Sequence, residues 1–473
     1  MGCIFWNISC STSSRLVLLE MTKIEDGEED VNMHVSWLLL SDVPPNTLIG
    51  LDTNVWTVGR NFRGVRNIPL GLHYLFINAA ANGPEGEVIS GPRCGVFLDL
   101  SKPCVVKKRW VKESEEFVDL PSTEGDVDLM RSNPTEVKMY LIAYPKERFA
   151  NWVALSSHIT LDTINRLQPS GRYIYSCALF LSEKSMSRDS ASLPIPTRLC
   201  RSCEGIAASE SLARGEEQLP TLRTLPETDL HWTELPQHPL YPPGSSPAQI
   251  SQYNMDQTYT LNHIIAQLQY PGEQLSSTSA LTPAEARLLG EFHFAFVVFL
   301  FGEVLEGWYQ WRRLFSLLAN CERAVVERPR LYKALITSLY RLLMYSASGE
   351  VTGSNGADVN VARLLHAGGE ENEGRGFPAH FDEWYECHNG PAFLPHTMTR
   401  LFGNIAEAAA TAPADQIRLV EDLLSRAEGL RVCLERRFNV RLPGRRHSAL
   451  VDGGLLAEEV DWDTDEAPVI VCD

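Results

Sequence analysis

A β-rich, sandwich-like N-terminal domain, then an all-α domain and a flexible C-terminal tail: this α+β multidomain architecture is what the 473-residue sequence predicts. Three observations predict it. Short apolar runs broken by Gly and Pro fill Ser36–Trp110. Apolar residues recur at helical spacing from about residue 250 onward. After Phe438 the composition turns sharply to charge.

Residues 1–33 read as a disordered leader, because Gly27-Glu28-Glu29-Asp30 is polar and no packing pattern surrounds it. Residues 34–181 read as the β-rich domain with trailing helices. Ser36–Ser41, Thr47–Leu51, Leu72–Asn78, Gly95–Leu100 and Val105–Trp110 are strand candidates. Pro44-Pro45-Asn46, Gly83-Pro84, Gly91-Pro92 and Lys102-Pro103 punctuate them as turns. Frequent breaks of this kind predict antiparallel hairpins in a small sandwich or barrel. Pro134 can open a helix over Thr135–Ala143. Trp152, Leu155, Ser156 and Ile159 share a helical face, and Leu161–Leu167 gives a further short helix.

Residues 182–250, rich in Ser, Pro and charge, read as a linker. An α-helical domain over residues 251–440 follows. Leu261, Ile264, Ile265 and Leu268 mark its first helix. Thr282-Pro283-Ala284-Glu285 is a capping box with Pro at the first helical position, and the helix it opens is apolar on nearly every side. Trp308–Leu318, Leu331–Met344 and Ile417–Leu434 give three more. The Gly-rich, polar stretch at residues 346–376 reads as a mobile insertion. Residues 441–473 read as a charged tail ending in a short β-preferring segment. The stretch Asp452–Glu466 holds seven acids and no base, and Ala467-Pro468-Val469-Ile470-Val471 follows it.

A formal charge of −18 argues against broad, charge-driven binding to phosphate backbones or anionic membranes. The eleven cysteines are scattered, and no secretory leader is visible, so a reducing compartment and free thiols are expected. Gly2 does not read as an acylation site, because Trp6 stands where Ser or Thr is required. The apolar run Phe294–Phe301 is too short for a bilayer span and is flanked by Glu291 and His293. His293 reads as a core histidine bonded to a neighbouring helix.

The spacings that carry catalysis are missing. No nucleophile elbow, phosphate loop, dinucleotide-binding glycine pattern or His-Glu-x-x-His occurs. Cys200-Arg201-Ser202-Cys203 is a lone pair, where zinc needs four ligands. The cluster His380, Asp382, Glu383, Glu386 and His388 fits no ligand geometry and reads as a solvated loop. Lys107-Lys108-Arg109 reads as the solvent face of an edge strand. The basic run Arg436–Arg446 can serve the dipole of the last helix or dock an acidic partner. The sequence therefore predicts a binding protein, not an enzyme, without cofactor or metal. Strand addition by the tail offers a binding mode. About four backbone hydrogen bonds at ~1 kcal/mol each do not exceed an ordering cost of ~1–2 kcal/mol per residue, so the tail needs folded domains to hold it near its target.

Several segments together resemble one family. The stretch Asp52-Thr53-Asn54-Val55-Trp56-Thr57-Val58-Gly59-Arg60-Asn61-Phe62-Arg63-Gly64-Val65-Arg66-Asn67-Ile68-Pro69-Leu70-Gly71-Leu72-His73 resembles the N-terminal signature of the AAR-two (a-one-cistron) splicing-factor family, as does Gly91-Pro92-Arg93. Met255–Tyr259, Leu289–Phe296, Trp311–Leu314 and the Ala467–Val471 tail are similar to it in the same order. The resemblance implies a β-rich domain followed by a helical one. It implies an assembly factor for the U5 small nuclear ribonucleoprotein (U5 snRNP) in mRNA splicing, cytoplasmic and nuclear and monomeric by itself. Such a factor binds the large central U5 protein, Prp-eight, through its RNase H-like and Jab/MPN domains, and holds off the U5 helicase and RNA until maturation. The bridging strand of that family would fall on Ala467, Pro468, Val469, Ile470 and Val471. Arg60 and Arg63, inside the signature, fit either a structural or a partner-facing role. The glycines of Gly59–Gly64 read as turn formers. A generic helical adaptor that binds peptides in a groove is the rival reading.

Overall fold

The computed structural model describes residues 35–82, 88–112, 116–133, 135, 139–176, 226–273, 281–347, 393–414, 416–438 and 442. The expected leader, the 346–376 insertion and the C-terminal tail lie outside these residues, except for Ser346 and Ala347 of the insertion and Leu442 of the tail.

Ten strands form two five-stranded sheets. Sheet A has the order β8-β7-β1-β4-β9 and sheet B the order β10-β6-β5-β2-β3. The strands are β1 Val35–Ser41, β2 Leu48–Leu51, β3 Asn54–Thr57, β4 Gly64–Pro69, β5 Gly71–Asn82, β6 Val88–Leu100, β7 Val105–Val111, β8 Glu116–Leu120, β9 Ile142–Ala143 and β10 Ile174–Tyr175. The sandwich expectation holds, but not as hairpins alone: β1 pairs parallel with β7, and β4 with β9. Gly91-Pro92 is not a turn. Both residues lie within β6, where Asn78 faces Arg93 and Ala80 faces Ser90, so two residues oppose one and form a bulge. A bulge is one of the few places inside a sheet that tolerates proline.

The inner faces of the two sheets share a core that includes Leu38, Leu40, Val65 and Ile68 from sheet A and Ile49, Leu75, Ile77 and Val96 from sheet B. The residues between them on sheet B point the other way. Tyr74, Phe76 and Phe97 join the core of the helical half. Sheet B is thus buried on both faces, which is why Tyr74–Ile77 reads as an unbroken apolar run and not as an alternation. On the outer face of sheet A, helix α1 (Glu124–Ser132) covers Val35, Trp37 and Val105 with Val127 and Met130.

Helices α2 (Phe149–Ser156) and α3 (Leu161–Leu167) follow the strands. The helical half comprises α4 (Pro247–Met255), α5 (Thr258–Gln267), α6 (Pro283–Leu300), α7 (Leu305–Ala319), α8 (Glu322–Glu327), α9 (Pro329–Ala347), α10 (Phe393–Thr411) and α11 (Ile417–Phe438). Thr282 caps α6 as expected: its hydroxyl accepts from Glu285 N–H, while Glu285 accepts from Thr282 N–H at 2.9 Å. Fourteen residues of α6 are buried, from Ala284 through Leu300, because α3, α7 and sheet B surround it. Among the described residues no helix is long and apolar enough to cross a membrane.

Three further expectations need correction. Ile142–Ala143 do not end a helix over Thr135–Ala143; they pair with Val65 and Arg66 as the last strand of sheet A. Lys107–Arg109 are not on an edge strand, because β7 lies between β1 and β8, and Lys108 is buried against Asp119. Of the 182–250 linker, residues 226–250 are described, and they are fastened to the fold. Gly171 N–H donates to Glu227 O at 3.1 Å, His231 N–H to Leu167 O at 2.9 Å and Leu240 N–H to the Thr260 hydroxyl at 2.8 Å. Leu230 and Leu235 are buried in the helical core.

Gly64 carries a testable constraint. Its φ is +137°, and a Cβ there would stand 1.8 Å from Leu38 O. Gly64→Ala is expected to lose about 2 kcal/mol or more in urea unfolding. Gly59→Ala should cost little, because nothing lies within 4 Å of the new methyl. Of the two glycines in Gly59–Gly64, only Gly64 has a positive φ; Gly71, later in the signature, has one as well.

Candidate functional site

Arg60 and Arg63 sit on an exposed loop that leads into β4. The Arg63 guanidinium donates to the carbonyls of Phe62, 2.9 Å, and Arg60, 3.3 Å, and so stiffens the loop from within. Its amide donates to Tyr140 O at 3.1 Å, tying the loop to the segment that enters β9. Arg63 is therefore structural and solvent-facing at once, and Arg60 is exposed. Residues Ala467–Val471 lie outside the described residues.

The same domain holds a buried acid–imidazole cluster. Asp52 accepts from Tyr74 N–H, 2.9 Å, and from the Tyr144 hydroxyl, 2.7 Å, and meets His73 Nδ1 at 2.7 Å. The other ring nitrogen of His73 donates to Pro69 O at 2.8 Å. Asp and His side by side suggest acid–base chemistry, but both imidazole nitrogens are occupied and both side chains are fully buried. The cluster pins β2, β5 and the end of β9 to one another.

The seam between the sheets and the helices is held by Arg93, a residue of the signature. It is 2% exposed. Nε donates to Asn78 Oδ1 at 2.7 Å, Nη1 to Phe301 O at 2.7 Å, and Nη2 pairs with Glu303 at 2.8 Å. Its guanidinium carbon stands 4.5 Å from the centre of the Phe76 ring. Phe301 and Glu303 belong to the turn after α6, where Glu303 has φ +57°. One guanidinium thus joins β5, β6 and the helical half.

A second buried charge fastens the returning chain. Glu291 of α6, fully buried, accepts from Arg166 of α3 at 2.8 Å, from Thr233 N–H at 2.9 Å and from Gln310 of α7 at 2.8 Å. His293, two residues on, meets Leu155 O at 2.7 Å and the Ser338 hydroxyl of α9 at 2.8 Å, as expected of a core histidine.

Cys200–Cys203 and His380–His388 lie outside the described residues. Among the described residues, Cys94, Cys104, Cys321 and Cys433 are free thiols, and no group of three His, Cys, Asp or Glu stands ready for a metal ion. Burial pushes the Cys94 thiol up to about 12. Arg436 and Arg437 lie in the last turn of α11, where positive charge suits the helix dipole. The sequence reading did not single out Asp52, Arg93 or Glu291 for these roles. A buried charge that bonds across elements has no local signature.

Comparison with known proteins covers both halves. Residues 34–169 match the family model of the AAR2 N-terminal domain, and residues 232–443 that of the AAR2 C-terminal repeat region. The chain is similar to Protein AAR2 homolog of Mus musculus, 34% identical over 312 residues, which is 65% of this chain and 74% of that protein. It is 35% identical to Protein AAR2 homolog of Homo sapiens over 310 residues, 65% of this chain and 74% of that one. Protein AAR2 homolog of Caenorhabditis elegans is 23% identical over 306 residues, 64% and 77% of the two chains.

Proposed function

The chain belongs to the AAR2 family, and from that premise we propose that it is a non-catalytic assembly factor of pre-mRNA splicing. In this reading it binds the large central U5 protein, Prp-eight, at the RNase H-like and Jab/MPN domains. It keeps the U5 helicase and RNA away until the particle matures, and it works in both cytoplasm and nucleus.

The observation that carries this reading is that both family regions match in order along one chain. The fold supports it. Sheet B is buried between sheet A and the helices, and Arg93 bonds across the seam. A factor that must hold two domains of a partner in a fixed relation needs this kind of preformed body, because a rigid platform loses little entropy on binding. Asp52, His73, Glu291 and His293 are engaged by internal bonds, which suits a role without a chemical step.

The test is affinity purification of the tagged full-length chain from cells. The expected result is recovery of the central U5 protein without its helicase. A purification that yields no U5 component, or the helicase in equal amount, overturns the reading.

A further inference from the structure

Sheet A ends on an open edge. Its last strand, β9, pairs with β4, Val65 beside Ile142 and Arg66 beside Ala143. Tyr140 O accepts from Arg63 N–H at 3.1 Å, and Tyr144 N–H donates to Arg66 O at 2.9 Å. The even-numbered residues thus turn their backbone groups toward β4. Alternate residues of a strand face opposite neighbours, so the N–H and C=O of Leu141 and Ala143 point away from β4. Among the described residues no strand lies beyond them.

The two faces of this edge differ. Ile142 shares the inner face with Val65, yet at the rim it is 37% exposed. Tyr140, two residues before it and so on the same face, is 45% exposed. On the outer face Ala143 is exposed beside Arg66, whose Nε is buried without a hydrogen-bond partner. Alanine is too short to cover that guanidinium. A strand added beyond β9 would set one side chain against Ile142 and Tyr140 and the next beside Ala143, with the Arg66 backbone two strand spacings, about 10 Å, away. An arginine side chain reaches across much of that gap. The edge therefore suits an extended segment that alternates apolar and acidic residues.

The chain carries such a segment. Val460-Asp461-Trp462-Asp463-Thr464-Asp465 alternates at the strand period of two, with β-preferring residues on one face and three aspartates on the other. Its tether starts from a fixed point, because Leu442 is buried and its N–H donates to Glu435 at 3.0 Å. The residues from Leu442 to Val460 span up to about 60 Å when extended. A body of this size is about 50 Å across. Tethering makes the contact intramolecular and gives it a high effective concentration.

We propose that Val460–Asp465 adds to β9 as a further strand of sheet A, with Val460 and Trp462 over Ile142 and Tyr140 and its aspartates toward Arg66. The alternation selects this segment over Val469-Ile470-Val471, which offers Arg66 no carboxylate. Docked there, it closes an edge that is otherwise open to pairing with other chains. It has to leave before that edge can take another strand. The inference goes beyond the U5 reading and stands without it.

The test is hydrogen exchange of the full-length chain, read by mass spectrometry on peptides that cover Tyr140–Tyr144 and Val460–Asp465. Residues 460–465 are expected to exchange about tenfold more slowly than an unstructured chain of the same sequence, at every protein concentration. The protection should weaken in about 1 M sodium chloride. Asp461→Lys/Asp463→Lys/Asp465→Lys should speed exchange of both peptides, and so should Arg66→Glu. Combining the four substitutions should restore the protection, whereas Asp452→Lys, outside the segment, should leave it unchanged. Residues 460–465 exchanging at the unstructured rate, or protection that rises with protein concentration and so reports a second copy, overturns the proposal. So does a combined variant that keeps the parent Tm and shows no rescue.

Discussion

Arg93→Met is expected to lower the stability of the full chain by about 3 kcal/mol. Methionine keeps most of the aliphatic volume, so the loss isolates the guanidinium. Removing it takes from Asn78 Oδ1 and Phe301 O a charged donor that each now has, in a site where Arg93 itself is 2% exposed. Hydrogen bonds to a charged group contribute about 1.5–3 kcal/mol. The lost contact with the Phe76 face adds to this. Glu303 matters less, because it is 30% exposed and water can replace the pair. Glu303→Gln should therefore cost under about 1 kcal/mol. Equilibrium urea unfolding of both variants checks the difference. Equal losses would mean that the seam depends on the ion pair and not on the hydrogen bonds to Asn78 and Phe301. The same comparison bears on function, since a partner gripping both halves would be bound more weakly by Arg93→Met in proportion to the loosened seam.

Part of this arrangement was legible in the sequence. Thr282, Pro283 and Glu285 specify the start of α6 locally, and apolar residues all round it announce a helix enclosed by others. The apolar run of β5 announces a strand, and the lack of alternation already hints that both of its faces are covered. What was not legible depends on partners far along the chain. Ile142–Ala143 sit in an apolar stretch that fits a helix as well as a strand, and only pairing with Val65 and Arg66 decides. Gly91-Pro92 has turn chemistry, but the bulge opposite Asn78 uses it inside a strand. Helix α10 was missed although Leu394, Met398, Leu401, Phe402 and Ile405 mark its buried face. Arg60 and Arg63 were singled out within the signature.

Acid should destabilise this fold well before its carboxylates are protonated, because two histidines are enclosed in neutral form. The His158 ring lies 4.9 Å from that of His293, and His158 Nε2 is buried without a hydrogen-bond partner. Burial, then the nearby Arg341, hold His158 down to about 4. Burial, then His158, hold His293 well below its ordinary value, despite its bond to Leu155 O; Arg341 pushes the same way. A proton on His293 would also turn the Ser338 hydroxyl from donor to acceptor. In the unfolded chain both rings titrate near 6.5. The unfolded state thus binds more protons below that pH, and stability falls with pH. The contribution is whole above about 6.5 and is progressively lost down to about 4, on the order of 3 kcal/mol for His158 alone. Asp126, held at about 2 by its bond to Lys107 and by Thr123 N–H, loses its contribution only below about 4. Burial raises the Glu306 carboxyl, which acts in the opposite sense in the same interval, so the comparison with His158→Phe isolates the histidine. Urea unfolding at a series of pH values should give a slope there that His158→Phe flattens, since phenylalanine fills the ring's place and cannot take a proton. The exposed-side-chain variant His263→Gln should leave the slope as it is. A slope unchanged by His158→Phe would place the acid sensitivity elsewhere. A slope that disappears entirely would mean that His158, and not burial, holds His293 below its ordinary value.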